Sequence, residues 1–195
     1  MNKNLKDLVL NNRSYRKFDE SKKISRKTLL DLIDIARLTP SSVNMQAIKY
    51  FISNTDEINN IIRPHTYWAK MLKDFDHPRQ GENPSAYIIV CVDKNIVPSP
   101  DKFDKDVGIV AQTIMLAAVE IGYGGCMIGS FDADILAEKL NIPNDMALRL
   151  VLALGVPDEK IILETLKKDS PFQYYRDEND VHHVPKRKLE DIILN

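Results

Sequence analysis

The chain is poor in cysteine and carries almost no net charge, and each shortage excludes a class of protein. Its two cysteines, Cys91 and Cys126, cannot form a multi-bridge disulfide framework, and no C-x-x-C spacing that would hold zinc or an iron–sulfur cluster occurs. Lysine and arginine number 27 against 28 aspartates and glutamates. Because the charges cancel to a formal -1, no overall positive field draws nucleic acid or an anionic membrane.

Long apolar runs are also missing. A run such as residues 86–92 stops far short of the ~18 residues of a membrane span, and the N-terminus lacks the apolar region of a signal peptide. The pattern therefore predicts a soluble cytoplasmic protein in a reducing compartment, with no membrane partner.

The residues that are present suit one folded domain covering 1–195. The chain has 195 residues, of which 44% are hydrophobic, enough for a sizeable core. Periodicity and breakers predict helices at about 5–11, from Ser25 to before Pro40, at 104–121 and at 132–140, with a short one near 189–194. Strands are predicted at 50–52, 86–92, within 122–130 and at 147–154. Without a regular β-α-β alternation, these elements predict an α+β fold.

Several side chains are predicted to share a buried face. Helical spacing places Leu29, Leu30, Ile33 and Ala36 on one face of the second helix. Alternation places Leu148, Leu150, Leu152 and Leu154 on one face of the last predicted strand. The stretch 54–84 indicates one or two short helices and a loop, a natural place for a lid, whereas 170–195 is a polar, basic tail.

A glycine cluster occupies residues 122–129, with the sequence G-Y-G-G-C-M-I-G. It fails the dinucleotide-binding pattern G-x-G-x-x-G in spacing and in context, because it follows a helix, and the chain has no P-loop motif. Such glycines can let backbone N–H groups approach a flat ligand closely, since no Cβ intervenes. They can equally form a helix C-cap and a tight turn.

Two arginines lie three residues apart at an element junction, Arg13 and Arg16, with Ser14 between them. This set suits a phosphate monoester, because arginine donates in a bidentate fork and serine adds a neutral donor. It is also typical of a solvated basic face. The basic residues at 186–188 could complete a phosphate site from far along the chain, or form a solubilising end.

Residues 40–46, P-S-S-V-N-M-Q, concentrate hydroxyl and amide groups directly after a helix. Such uncharged donors and acceptors can match the polar edge of a heterocycle, although an ordinary polar loop has a similar composition.

Metal and nucleophile sites are not expected. His182 and His183 point to opposite sides of an extended chain, and His65 and His77 are isolated from them. No His or Asp near Cys126 in the sequence suggests an activating partner, so Cys126 is interpreted as a small buried thiol, as is Cys91 in its strand.

The order of these motifs resembles the FMN-dependent nitroreductase family across nearly the whole chain. The resemblance is carried by R-S-x-R-x-F at 13–18, P-S-S-x-N-x-Q at 40–46, the glycine cluster, and H-H-V-P-K-R at 182–187. It implies an α+β sandwich with a central, mostly antiparallel sheet flanked by helices, and a homodimer with FMN at the subunit interface. It also implies that about 170–195 form an extension that wraps the partner.

The resemblance assigns cofactor-binding residues in three groups. The phosphate would be held by Arg13, Ser14 and Arg16 with Lys186 or Arg187. The residues arriving from the partner subunit would be Ser41, Ser42, Asn44 and Gln46. Gly124 and Gly125 would lie against the isoalloxazine ring. The chain departs from the family pattern at Ala47-Ile48, where Pro-Trp is frequent, which leaves the shape of the pocket edge open.

The implied activity is hydride transfer from NADH or NADPH, through flavin N5, to a small electrophile such as a nitro compound or quinone. Because the cofactor carries this chemistry, no protein acid or base is required, and none is assigned. An FMN-binding storage or sensor protein with little turnover is the alternative.

Overall fold

The computed structural model describes residues 4–69, 72, 78–168 and 170–195. His77 therefore lies outside the described residues. The helices are α1 (Leu5–Asn11), α2 (Arg26–Ala36), α3 (Asp56–Ile62), α4 (Asp104–Glu120) and α5 (Ala133–Lys139). The strands are β1 (Ile48–Ser53), β2 (Ala86–Asp93), β3 (Gly124–Ile128), β4 (Met146–Gly155), β5 (Ile161–Thr165), β6 (Tyr175–Arg176) and β7 (His182–Lys186).

Local signals set the ends of the two long helices. The Ser25 side chain accepts a hydrogen bond from a first-turn amide of α2, as expected of an N-cap. After α4, Gly122 adopts a φ of +90°. The N–H groups of Gly122 and Tyr123 donate to the carbonyls of Val119 and Ala118 at 3.2 and 2.8 Å. This is a Schellman C-cap, so the predicted helix stop is confirmed.

Four antiparallel strands in the order β1-β2-β4-β3 form the central sheet. Every residue of β2 is buried, so this strand is covered on both faces. The even-numbered residues of β2 belong to a core that includes residues of α2 and α4, whereas Tyr87, Ile89 and Cys91 belong to a second core with residues of α3 and α5. A sheet with a helical layer on each side is the predicted α+β sandwich.

Two predicted sets of side chains that share a buried face are wrong in part, one in β4 and one in α2. A bulge in β4 pairs Val90 with Leu150 but Cys91 with Leu148, which leaves Arg149 without a cross-strand partner in the register. The extra residue reverses the alternation, so Leu148 packs in the opposite core from Leu150. In α2, the buried set is Leu29, Leu32 and Ala36, whereas Leu30 is 49% exposed.

The region after β4 contains a second sheet that the sequence analysis missed. Strand β7 pairs in parallel with β5 and antiparallel with β6. The final predicted helix is reduced to a 3-10 turn at Leu189–Asp191. Within residues 54–84, where one or two short helices and a loop are predicted, the structure has α3 followed directly by a 3-10 turn at Arg63–His65.

None of the helices in the described part of the chain combines the length and the apolarity needed to cross a bilayer.

Candidate functional site

A cavity of about 320 Å³ lies between the segment after α1 and the second sheet. It brings together four predicted phosphate ligands from opposite ends of the chain, Arg13, Ser14, Arg16 and Lys186. The remaining lining residues are Asn12, Ile161, Tyr174, His182 and Val184. The lining is thus rich in cationic and neutral hydrogen-bond donors.

Strand alternation decides which side chains of β7 reach the cavity. His182, Val184 and Lys186 line it, whereas the His183 ring lies against the carboxylates of Glu164 and Asp177 at 2.6 and 3.1 Å. The prediction that the paired histidines point to opposite sides is confirmed. Arg187, one residue beyond Lys186, lines a separate cavity with Lys188 and residues 166–168. Of the two alternatives for completing the basic cluster, the structure therefore supports Lys186.

The segment carrying the two arginines is held against the edge of the central sheet. Ser14 forms a parallel bridge with Gly125, and the Tyr15 N–H donates to the Gly125 carbonyl at 3.0 Å. The Arg16 N–H donates to the Glu159 carboxylate, whose other oxygen accepts from Arg176. Because Glu159 precedes β5 and Arg176 lies in β6, this carboxylate ties the N-terminal segment to the second sheet.

The two cavity arginines are incompletely satisfied. Arg16 is 8% exposed, its Cζ lies 5.1 Å from the centroid of the Tyr174 ring, and its Nη1 donates to the Ser14 carbonyl at 3.3 Å. The Arg13 Nη2 donates to the Val9 carbonyl at 2.6 Å. The Nε atoms of both arginines are buried without a hydrogen-bond partner among the described residues. Buried donors of this kind fit an anionic ligand with several acceptor oxygens.

The pKa of Arg13 also indicates that the cavity fits an anionic ligand. Burial lowers the pKa of its guanidinium, and the charge of Tyr15 opposes this only in part. A lowered arginine pKa means that the folded chain under-compensates the positive charge. An entering anion would supply the missing compensation.

The glycines at the start of β3 have a structural explanation. A Cβ on Gly124 would lie 2.6 Å from atoms of both Tyr15 and Pro157, and a Cβ on Gly125 would lie 2.3 Å from the Ala153 carbonyl oxygen. The space on the Cβ side of both glycines is therefore filled by protein. Contact of these glycines with an isoalloxazine ring stays a prediction.

The 41–46 loop is anchored by a buried carboxylate. Asp106, 2% exposed at the start of α4, accepts hydrogen bonds from the Ser41 Oγ and the Ser42 N–H, both at 2.8 Å, and from the Ser42 Oγ at 2.5 Å. Burial opposes ionisation of Asp106, but these hydrogen bonds outweigh it and lower its pKa. The two serine hydroxyls thus donate within the chain, which leaves their oxygens only acceptor capacity for a ligand.

The same loop has an unusual backbone. Val43, Asn44 and Gln46 have φ values of 52°, 54° and 51°, a region that non-glycine residues rarely occupy. The Gln46 N–H donates to the Ser41 Oγ at 3.0 Å, and its Nε2 to the Asn44 carbonyl at 3.3 Å. Such strain is concentrated at functional sites. The described lining of the basic cavity contains no residue of this loop, so one chain does not bring the two predicted groups together there.

Ala47 and Ile48, where the chain departs from the family pattern, lie at the hydrophobic core. Ala47 is fully buried and Ile48, the first residue of β1, packs against the core beneath α2 and α4.

Both cysteines are buried and unpaired, as predicted. Burial raises the pKa of Cys91 to about 12 and that of Cys126 to about 11, so both are neutral thiols near pH 7.

The described residues contain no group of three or more His, Cys, Asp or Glu side chains arranged to hold a metal ion.

Three residues that organise the site have no role in the predictions from the sequence, namely Asp106, Glu159 and His182. Asp106 could have been found, because it is an acidic residue within a helix that carries apolar residues widely and therefore needs a partner. His182 was part of a quoted motif but was assigned no role. Glu159 lies between strands, and its sequence surroundings give no signal.

The fold is an α+β sandwich, and its basic cavity gathers cationic and neutral donors that suit an anionic group. The family model of the nitroreductase family matches residues 9–156. The oxygen-insensitive NADPH nitroreductase of Helicobacter acinonychis is 24% identical over 197 residues, covering 80% of this chain and 89% of that protein.

Two solved structures share the fold. A nitroreductase family protein from Streptococcus pneumoniae has a TM-score of 0.70 at 17% identity, with 98% of this chain and 100% of that chain covered. An Exiguobacterium sibiricum protein solved in complex with FMN has a TM-score of 0.68 at 22% identity, with 80% and 90% covered.

The chain belongs to the nitroreductase family. It is an NAD(P)H-dependent oxidoreductase of a family whose cofactor is FMN. The resemblance, the enzyme class and the cofactor expected from the sequence are thereby confirmed.

Proposed function

We propose that this chain binds FMN through the basic cavity and uses it to pass a hydride from NADH or NADPH, through flavin N5, to a small electrophile such as a nitro compound or a quinone. The observation that carries this proposal is the convergence of Arg13, Arg16 and Lys186 on one cavity, where the Nε atoms of both arginines are buried without a hydrogen-bond partner in the described part of the chain. FMN, when bound, supplies the redox chemistry, and the protein supplies binding and orientation.

The charges of the cavity suit a terminal phosphate. A phosphate monoester carries about -1.5 to -2 charges near pH 7 and three acceptor oxygens. Arg16 lies deep, Arg13 is half-buried, and Ser14 and Lys186 are exposed, so donors extend from the interior of the cavity to its rim. The nearby Glu159 carboxylate is already bonded by Arg176 and by the Arg16 N–H, which limits its repulsion of an anion.

The proposal includes a homodimer that completes the site. The 41–46 loop carries the remaining predicted ligands away from the cavity lining, and Val43 within it is 94% exposed. Exposed apolar residues also lie on the packed helices α1, α2 and α4 and next to them, namely Leu5, Leu10, Leu30, Leu38, Ile109 and Ile121. Exposed apolar side chains on neighbouring helices suit a protein–protein contact. A second copy would cover it and would bring its own 41–46 loop to the flavin.

The predicted wrapping of the partner is restricted to the end of the chain. Residues 175–176 and 182–186 form β6 and β7 within the sheet of their own subunit. Beyond them, Leu189, Ile192, Ile193 and Leu194 are each more than half exposed. We propose that 189–195, rather than all of 170–195, cover the partner.

We also propose a cytoplasmic location, which the two unpaired buried cysteines suit.

The test is a half-reaction under anaerobic conditions. Protein reconstituted with FMN is mixed with NADPH or NADH, and the flavin absorbance is followed before a nitro compound or quinone is added. The proposal expects rapid bleaching and then recovery of the absorbance on addition of the electrophile. A flavin that binds stoichiometrically and is not bleached would establish the storage or sensor alternative. Failure to bind FMN would contradict both.

A further inference from the structure

We infer that His182 is a proton-linked ligand of the basic cavity, neutral in the free protein and protonated when the phosphate of FMN enters. This inference rests on the proposed function, because it concerns the site proposed for the cofactor. The proton comes from the solvent, and the imidazolium then donates to the anion. Binding of FMN would thereby be coupled to pH through one side chain.

The first observation is the placement of the imidazole. His182 is 2% exposed and lines the cavity beside Arg13, Arg16 and Lys186. Both ring nitrogens are buried, and neither has a hydrogen-bond partner in the described part of the chain. Buried polar atoms are nearly always partnered in native proteins, so an unsatisfied imidazole in a cavity wall points to a ligand.

The second observation is the charge around the ring. Arg16 on the N-terminal segment, Arg176 on β6, and Lys186 and His183 on its own strand are basic, as is Arg13 across the cavity. The acidic groups are Asp180 and Glu159, and the Glu159 Oε2 lies 4.0 Å from His182 Nδ1, beyond hydrogen-bond distance. The Tyr174 ring packs at 5.2 Å between centroids with a tilt of 48°. Basic groups thus outnumber acidic ones, and the nearer acid is already paired with Arg176.

These surroundings make the imidazole neutral in the free protein. Burial lowers the pKa of His182 to about 4, with Arg16, Arg176 and His183 acting in the same direction and Asp180 opposing them. A phosphate dianion in the cavity would reverse the sign of the local field, and an opposite charge within about 4–6 Å favours the protonated form.

Protonation also completes the hydrogen bonding. A neutral imidazole has one donor and one acceptor, whereas an imidazolium has two donors. A phosphate presents only acceptors once it is a dianion, and the Glu159 carboxylate lies on the Nδ1 side. The protonated ring could therefore donate to the anion from one nitrogen, while its Nδ1–H faces the Glu159 carboxylate 4.0 Å away in an electrostatic contact. The neutral ring would leave one nitrogen unsatisfied in the bound state.

The experiment counts protons by titration calorimetry. FMN is titrated into the full-length protein at about pH 7.5, where its phosphate is already almost entirely dianionic, in phosphate-free buffers of different ionisation enthalpy. We expect net proton uptake, of up to one proton per FMN, and a weakening of the FMN Kd of up to about tenfold per unit rise in pH. Riboflavin, which lacks the phosphate, should bind without proton uptake.

Two variants assign the proton. His182→Gln keeps a polar side chain that cannot titrate, and it should bind FMN without proton uptake. His183→Gln is the matched control, because this neighbouring histidine faces Glu164 and Asp177 outside the cavity, and its proton uptake should equal that of the wild type.

The outcomes separate this inference from the proposed function. FMN binding by wild-type protein without proton uptake, or unchanged uptake in His182→Gln, overturns the inference and leaves the proposed function standing. Absence of FMN binding overturns both. If His182→Gln does not fold, side-chain ¹⁵N spectra of the four histidines in wild-type protein decide, because the shifts of one ring should move from the neutral toward the cationic form on addition of FMN. Four unchanged rings would refute it.

Discussion

Replacing Arg13 should weaken FMN binding while leaving the free protein folded. Arg13 is half-buried, its Nη2 donates to the Val9 carbonyl, and its Nε is buried without a partner among the described residues. A hydrogen bond to a charged group contributes about 1.5–3 kcal/mol, so Arg13→Ala should raise the Kd for FMN by about 10- to 150-fold. Arg16 is a poorer probe, because its substitution also removes the guanidinium contact with the Tyr174 ring and the Nη1 hydrogen bond to the Ser14 carbonyl.

The effect on the free protein should be small. Burial lowers the pKa of Arg13, which shows that its charge is poorly compensated without an anion. Removing the side chain relieves this charge but loses the hydrogen bond to Val9, and such bonds contribute about 0.5–1.5 kcal/mol. The two effects oppose each other, so the free energy of unfolding without FMN should change by less than about 1 kcal/mol.

Quenching of flavin fluorescence measures the Kd for FMN and for riboflavin in wild type, Arg13→Ala and Arg26→Ala. Arg26 is an exposed arginine at the start of α2, away from the cavity lining, and is the matched control. The ratio of the riboflavin Kd to the FMN Kd should fall only in Arg13→Ala. Equal losses for both ligands, or equal effects at Arg13 and Arg26, would refute the assignment of a phosphate clamp.

Four further predictions test other parts of the molecule. Gly125→Ala places a Cβ 2.3 Å from a β4 carbonyl oxygen and should lower the free energy of unfolding by about 1–3 kcal/mol in urea titrations, whereas Gly129→Ala, with open space at its Cβ, should not. Asp106→Asn should release the 41–46 loop and weaken riboflavin and FMN binding alike, unlike the cavity arginine; a selective loss of FMN would contradict this role. Hydrogen bonds with two carboxylates raise the pKa of His183, so its contribution to stability is complete below the unfolded-state pKa of about 6.5 and is lost as the pH rises through the higher folded-state pKa. The stability advantage of wild type over His183→Gln should therefore shrink above about pH 6.5, and a constant advantage would show that its charge is irrelevant. Truncation after Lys188 should raise the dimer dissociation constant at least about tenfold in sedimentation experiments, because each apolar side chain uncovered loses about 1.5–3 kcal/mol of burial, and an unchanged constant would exclude wrapping by the terminus.

Much of the central layer follows from local sequence. The Ser25 cap, the Gly122 stop and the uninterrupted apolar run of β2 act over a few residues, so each can be interpreted without its tertiary partners. The α+β class follows from the order of such elements. Arg13, Ser14 and Arg16 were recognisable as phosphate-binding candidates because their chemistry is carried by the side chains themselves.

The tertiary structure decided where those side chains meet. The bulge at Arg149, which moves Leu148 to the other core, arises from pairing with β2 and has no signature in the alternating leucines. Strands β6 and β7 are short and polar, and they form because β5 offers them hydrogen-bond partners. That pairing carries His182 and Lys186 to a segment about 170 residues earlier in the chain. A charged site assembled by long-range backbone pairing is specified by the partners of each strand, and local composition does not encode those partners.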